Sequence, residues 1–282
     1  MNCNENNPCM GVYGKCLDVK ITNYCNGKCG FCIEKGGLET EVVSVNKLIE
    51  ATNNLKNYQK VLILGGEPFL YNYLCNYIEG IREHKEEIYI TTNGSAFEDV
   101  VLHRISKYLT AINISIHHYD EKINSKIIGT SIDFENIKHS IEILKSYGVN
   151  VRINTNLIKN GIDNNDEVLM MIMFAKVLGA DSIRFAELHN CPKLFVSAHD
   201  IFDNINENPY CDGCEQTLNL LKGIETKVRL TCGIVNPLKD MPQKIEENKS
   251  QTKVMYTNSI ITDGWMTKSG GHGDGCHRKG CH

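Results

Sequence analysis

Up to about residue 187 the chain alternates short runs rich in β-branched residues with longer amphipathic stretches, and this rhythm limits the fold more than any other feature. Repetition of strand and helix predicts βα units around a parallel sheet, because parallel neighbours need a crossover long enough to hold a helix. The strand runs are Leu17–Thr22, Lys60–Leu64, Glu87–Thr92, Ala111–Ile116, Asn150–Leu157 and Ser182–Ala186. Helical periodicity covers Val45–Asn57, Tyr71–His84, Phe97–Tyr108, Phe134–Tyr147 and Asp166–Leu178, with Leu48, Ile49, Thr52 and Leu55 on one face of the first. Gly148 and Gly179 sit just past two of these helices, where a left-handed cap suits glycine. After His189 the regularity fades to a helix over Glu215–Lys222 and strands over Lys227–Cys232 and Val254–Ile261. The expected division is a leading segment over 1–16, an α/β unit over 17–190, a small irregular cysteine-rich extension over 191–267, and a Gly/His/Cys-rich tail over 268–282.

The charge balance, 30 Lys+Arg against 34 Asp+Glu, gives no basic field and argues against bulk nucleic-acid binding. No apolar run approaches the ~20 residues of a membrane span. The start, Met1-Asn2-Cys3-Asn4-Glu5, lacks the basic and apolar regions of a signal peptide, so a cytoplasmic protein is expected. Thirteen cysteines in a reducing compartment point to metal or redox chemistry rather than to disulfides.

Cys25-Asn26-Gly27-Lys28-Cys29-Gly30-Phe31-Cys32 has the spacing C-x3-C-x2-C directly after the first strand. Three thiolates so placed can hold one face of a cubane iron–sulfur cluster and leave one iron open; a zinc knuckle short of a ligand, or unrelated thiols, are the alternatives. Leu64-Gly65-Gly66-Glu67-Pro68 ends the second strand: its glycines let backbone approach a ligand, and its carbonyls and Glu67 can accept from an ammonium group. Thr91-Thr92-Asn93-Gly94 ends the third strand. Arg152, Asn154 and Asn156 alternate onto one face of the fifth, which is expected to be the interior because such a face needs a polar ligand.

These motifs, in this order at the C-terminal ends of successive strands, resemble those of the radical S-adenosylmethionine (SAM) superfamily, over about residues 14–190. The resemblance implies a partial (βα)6 barrel with Cys25, Cys29 and Cys32 as metal ligands of a [4Fe–4S] cluster. It implies reductive cleavage of SAM at that cluster to a 5′-deoxyadenosyl radical, which abstracts a hydrogen atom from a small-metabolite, nucleotide or peptide substrate. The reductant would be a flavodoxin or ferredoxin. By the same resemblance Gly65, Gly66 and Glu67 hold the amino group of SAM, Thr92 and Asn93 form the turn beside it, Ser115 supplies a ribose- or carboxylate-binding hydroxyl, and Asn154 faces the cofactor. The sixth strand, Ile183-Arg184-Phe185-Ala186-Glu187-Leu188, is similar to that of the molybdenum-cofactor cyclase branch, which adds Arg184 and Glu187.

Other residues leave alternatives open. Arg152 and Arg184 suit bidentate binding of a carboxylate or phosphate, or simple salt bridges. His117 and His118, after the fourth strand, are candidates for substrate contact or proton transfer, or plain loop histidines. Cys191, Cys211, Cys214 and Cys232 resemble the SPASM or twitch extensions that hold an auxiliary iron–sulfur cluster; zinc or free thiols are the alternatives. Cys214 is followed by Glu215-Gln216-Thr217, not by the Asn-Arg-x-Arg-like stretch of the cyclase, which counts against GTP as substrate. The short leading segment is expected to leave no room for a winged-helix leader-binding domain, which favours a metabolite, a nucleotide, or a peptide recognised by the barrel itself. A peptide epimerase or thioether-forming maturase is the alternative enzyme. A non-catalytic zinc-binding protein would need neither the Gly-Gly-Glu-Pro segment nor the polar fifth strand. Cys75 lies within a helical pattern as a core residue; Cys3, Cys9 and Cys16 are left open between ligands and reduced thiols, and the tail with Cys276, Cys281 and its histidines between metal binding, a cover over the barrel mouth that reaches substrate, and a disordered tail.

Overall fold

The structure, a computed structural model, describes residues 16–32, 41–188, 191–203, 205, 215–230, 252–262, 265–266 and 272–273. Six strands lie parallel and adjacent in chain order: β1 (Cys16–Lys20), β2 (Lys60–Leu64), β3 (Glu87–Thr92), β4 (Ala111–Ser115), β5 (Asn150–Asn156) and β6 (Ser182–Ala186). Alternation decides their two faces. Leu17, Val19, Val61, Ile63, Ile88, Ile90, Ile112, Ile114, Val151, Ile153, Ile183 and Phe185 share one face and are buried under the helices. The other face carries Asp18, Leu62, Thr91, Asn113, Ser115, Arg152, Asn154 and Arg184, which line a cavity. The sheet is therefore apolar where helices cover it and mostly polar inside, the pattern of a barrel built around a ligand.

The helices are α1 (Val45–Asn54), α2 (Leu74–Ile81), α3 (Asp99–Ile105), α4 (Glu121–Ile128), α5 (Phe134–Ser146) and α6 (Asn165–Val177). Leu48 and Thr52 of α1, and Ile137, Ile141 and Leu144 of α5, are buried, so the apolar stripes meet the sheet. Gly148 and Gly179 have φ of 77° and 89°, the left-handed conformation expected after α5 and α6. The helix over Tyr71–His84 is shorter than its periodicity: a 3-10 turn over Pro68–Leu70 precedes α2.

Three readings past β3 are corrected. α4 follows β4 in the stretch that showed no helical signal; Asp120 makes it, its Oδ1 accepting the amides of Lys122 and Ile123 at 2.9 Å, and Gly129 ends it at φ 77°. Glu215–Lys222 is not a helix: β7 (Glu215–Leu218) pairs antiparallel with β8 (Glu225–Arg229), because tertiary pairing overrides the local propensity of Glu and Gln. Val254–Ile261 is two strands, β9 (Thr252–Met255) and β10 (Ile261–Thr262), folded back through a turn in which Ser259 has φ 64°.

These four strands extend the barrel sheet at both ends. β8 adds parallel to β6, β9 adds parallel to β1, and β7 and β10 close the two edges, so the sheet has ten strands among the described residues. A separate two-stranded ribbon pairs β11 (Trp265–Met266) with β12 (His272–Gly273).

Candidate active site

The cysteine loop is built into the barrel mouth by backbone. Gly66 N–H donates to Thr22 O at 2.9 Å and Glu67 N–H to Tyr24 O at 2.8 Å, so the Gly-Gly-Glu segment grips the chain just before Cys25. The contact is close enough to require glycine: a Cβ on Gly66 would lie 1.9 Å from Tyr24 O, and Gly65 has φ 151° with its would-be Cβ 2.6 Å from Thr22 O. On its far side the loop is pinned to the end of α4, with Lys28 N–H donating to Ile128 O at 2.6 Å and Cys29 Sγ 3.5 Å from the same oxygen.

Side chains complete the clamp. Asn93 Nδ2 donates to Asn26 Oδ1 at 3.1 Å, Asn26 Nδ2 to Ser95 Oγ at 2.8 Å, and Ser95 N–H to Asn93 Oδ1 at 2.9 Å. Asn26 and Ser95 were not singled out in the sequence; the Asn-Gly turn at 93–94 was the only local signal. Glu67 is 1% exposed and already engaged, accepting from Thr92 Oγ1 at 2.6 Å, Asn93 N–H at 2.7 Å and Phe69 N–H at 3.0 Å. Burial pushes its carboxyl up, against the lowering pull of those three donors. Glu67 thus braces the loops after β2 and β3 against each other as well as lining the cavity.

The cavity measures about 390 Å³ and is lined by Cys25, Cys29 and Cys32 together with Gly65, Gly66, Glu67, Thr92, Asn93, Ser115, His117, Arg152, Asn154, Arg184 and Glu187. Nearly every candidate from the barrel sequence therefore opens onto one space. His118 does not line it: its Nδ1 accepts from Asp120 N–H at 2.9 Å and its Nε2 lies 3.8 Å from Glu167. Glu187 spends Oε1 on Ala198 N–H at 2.8 Å. His117, 5% exposed, accepts from Asn156 N–H at Nδ1, which leaves the proton on Nε2; burial lowers its pKa to about 4, so the ring is neutral. Its ring meets the edge of Phe31 at 5.0 Å.

The donor set fits an iron–sulfur cluster and SAM. Cys25, Cys29 and Cys32 all line the one cavity that Gly65, Gly66 and Glu67 also line. Partial burial pushes the Cys25 thiol up; Gly27 N–H, 3.3 Å from its sulfur, pulls it down, and the charges of Glu67 and Cys32 raise it again. Among the described residues the buried Oδ1 of Asn154 has no hydrogen-bond partner, an acceptor left for a ligand's donor. Cys191 is half-buried outside the cavity, and Cys211, Cys214 and Cys232 lie outside the described residues, as do Cys3, Cys9, Cys276 and Cys281.

The family model for the Radical SAM superfamily matches residues 19–175, more than half of the chain. The chain belongs to the radical SAM superfamily. Members of this superfamily use a [4Fe–4S] cluster and SAM. Curated relatives within it include a GTP 3′,8-cyclase of Aquifex aeolicus, 30% identical over 183 residues and covering 61% of this chain and 56% of that protein. Another, from Clostridium perfringens (strain SM101 / Type A), is 30% identical over 191 residues, covering 62% and 57%. The chain thus spans little more than half the length of these relatives. Among solved structures, Streptococcus suis SuiB bound to S-adenosylmethionine superposes with a TM-score of 0.63 at 17% identity, covering 89% of this chain and 60% of that one, a likeness of fold. No helix of the described residues is long and apolar enough to cross a membrane.

Proposed function

We propose that this chain is a radical SAM enzyme acting on a small organic substrate in the barrel cavity. The observation that carries the reading is convergence: three cysteine thiols, the Gly-Gly-Glu segment, the Asn93 turn and the polar residues of β4 and β5 all open onto one cavity. When bound, the cluster and SAM supply hydrogen-atom abstraction from an unactivated C–H bond. The residues of this chain do the rest. Cys25, Cys29 and Cys32 hold the cluster. Gly65, Gly66 and Glu67 receive the ammonium end of SAM beside Thr92 and Asn93. Ser115 and Asn154 offer an oxygen each to its polar groups. His117 presents an N–H that does not ionise at neutral pH, so it donates a hydrogen bond without becoming an acid. The apolar wall of Leu62, Leu64 and Ile128 and the Phe31 ring help exclude water.

The electron would come from a flavodoxin- or ferredoxin-like reductant in the cytoplasm, and Cys191 with Cys211, Cys214 and Cys232 would hold an auxiliary cluster. Anaerobically reconstituted protein given dithionite and SAM should release 5′-deoxyadenosine, and Cys29→Ala should not; cleavage retained in that variant sinks the assignment. Iron and sulfide analysis tests the extension: about eight irons per chain support a second [4Fe–4S] cluster, and about four reject it.

A further inference from the structure

We infer that the outward face of α6 is a self-association surface, on which a second copy of this chain packs its own α6 in the antiparallel sense. The inference goes beyond the enzymatic reading and needs neither cluster nor SAM, because no residue of α6 lines the cavity.

Helices that cover a sheet turn their polar side outward, and two of the longer ones here do so. α1 exposes Asn46, Lys47, Glu50 and Asn54, and α5 exposes Glu135, His139, Glu142, Lys145 and Ser146. α6 departs from this pattern. Its Val168, Met171, Ile172 and Ala175 are buried, while Leu169, Met170, Met173 and Val177 on the opposite side are 44%, 47%, 54% and 70% exposed. At about 100° per residue these four, together with Asp166 and Lys176, fall within an arc of about 120°. Leu220, 41% exposed, follows in the β7–β8 turn, which is tied to the end of α6 by Lys176 Nζ donating to Lys222 O at 2.8 Å. A single exposed apolar residue needs no explanation, but a row of four on one helix face, two of them methionines, marks a contact surface.

The charges select the occupant. Asp166 stands at the N-terminal end of the stripe and makes no ion pair among the described residues; Lys176 stands at the C-terminal end, with the exposed Lys222 beside it. The order acid, apolar row, base along one face is complementary to itself when reversed. A twofold axis between Met170 and Met173 sets Met170 of one copy against Met173 of the other and brings each Asp166 to the Lys176 of the opposite copy, an isologous contact. A partner carrying one sign of charge would meet a like charge at one end of the stripe. Antiparallel pairing also opposes the two helix dipoles favourably. The apolar row supplies the affinity, and the exposed ion pairs, weak by themselves, fix the direction.

The test is sedimentation velocity on the reconstituted full chain, run anaerobically with a thiol reductant so that no disulfide links the copies. Wild type should pass from monomer to dimer between about 1 and 100 μM, the range of a small interface. Met173→Asp, which puts a charge at the centre of the apolar row, should weaken the dimer roughly 100-fold. Asp166→Lys should weaken it about tenfold, and adding Lys176→Asp to that variant should restore it to within about threefold of wild type, because the reversed charges again face each other. Circular dichroism and iron content should match wild type in every variant; if Met173→Asp does not fold, Met170→Glu takes its place. A wild-type monomer throughout the range overturns the inference and leaves the stripe to a different protein or to a segment outside the described residues. Dimerisation indifferent to the methionine substitution in a folded variant, or a charge reversal that fails to restore it, overturns it equally.

Discussion

Gly66 has room for a hydrogen and nothing larger, since a methyl there would enter the Tyr24 carbonyl at 1.9 Å. Neither partner can yield, both being backbone, so Gly66→Ala should displace the strand-to-loop junction before Cys25. We expect a loss of about 3 kcal/mol in apo stability, at the upper end of overpacking costs, and iron retention well below wild type after reconstitution, read by denaturant unfolding and iron analysis. His117 gives a prediction in pH. Its pKa is about 4 in the folded protein and near 6.5 when exposed. Its folded value is the depressed one, so unfolding takes up a proton between the two: this contribution is complete above pH 6.5 and shrinks as pH falls toward 4. Apo stability should fall by roughly 2 kcal/mol between pH 7.5 and 5 from this residue alone, and His117→Gln should flatten that slope; an unchanged slope refutes it.

At the scale of elements, α4 shows how a piece of structure remote in sequence governs the cluster loop. Its last carbonyl, Ile128 O, accepts from Lys28 N–H, and its first turn depends on Asp120. Asp120→Ala should cost about 1 kcal/mol of stability and hasten cluster loss under chelator, followed by the decay of the iron–sulfur absorbance. α4 was also the element that the sequence hid, because Glu121-Lys122-Ile123-Asn124 has little apolar periodicity and its cap lies beside a histidine pair that reads as a loop. The strands and helices of the βα rhythm were legible because one face of each is apolar at the right period. So were the motifs at the strand ends, whose glycines and cysteines are rare residue types at informative spacings. The hairpin of β7 and β8 was not legible: Glu215-Gln216-Thr217 reads as helix until β8, itself paired to β6, offers an edge to pair with. Glu215 therefore came only with the fold, and so did its ion pairs with Arg152 and Arg184, supplied from a strand read as a helix.

For the whole molecule, the ten-strand sheet means that the barrel is not finished by its six βα strands. β1 is flanked by β2 on one side and by β9 on the other, with Cys16 opposite Thr252. Deleting residues from 251 onward should leave β1 with an open edge of unpaired N–H and C=O groups. The shortened chain should aggregate or self-associate, as size-exclusion chromatography would show, whereas deletion from 263 onward should leave β9 and β10 in place and a monodisperse sample.

That same pairing sets an order in time. The strand that carries the chain into the cluster loop faces Lys60 from Cys16 on one side and Thr252 on the other. β1 can join β2 early in synthesis but waits for the whole intervening barrel before β9 is made. The frame around the cysteines thus combines a local pairing with a long-range one, and its outer edge closes only after every βα unit between them has been made.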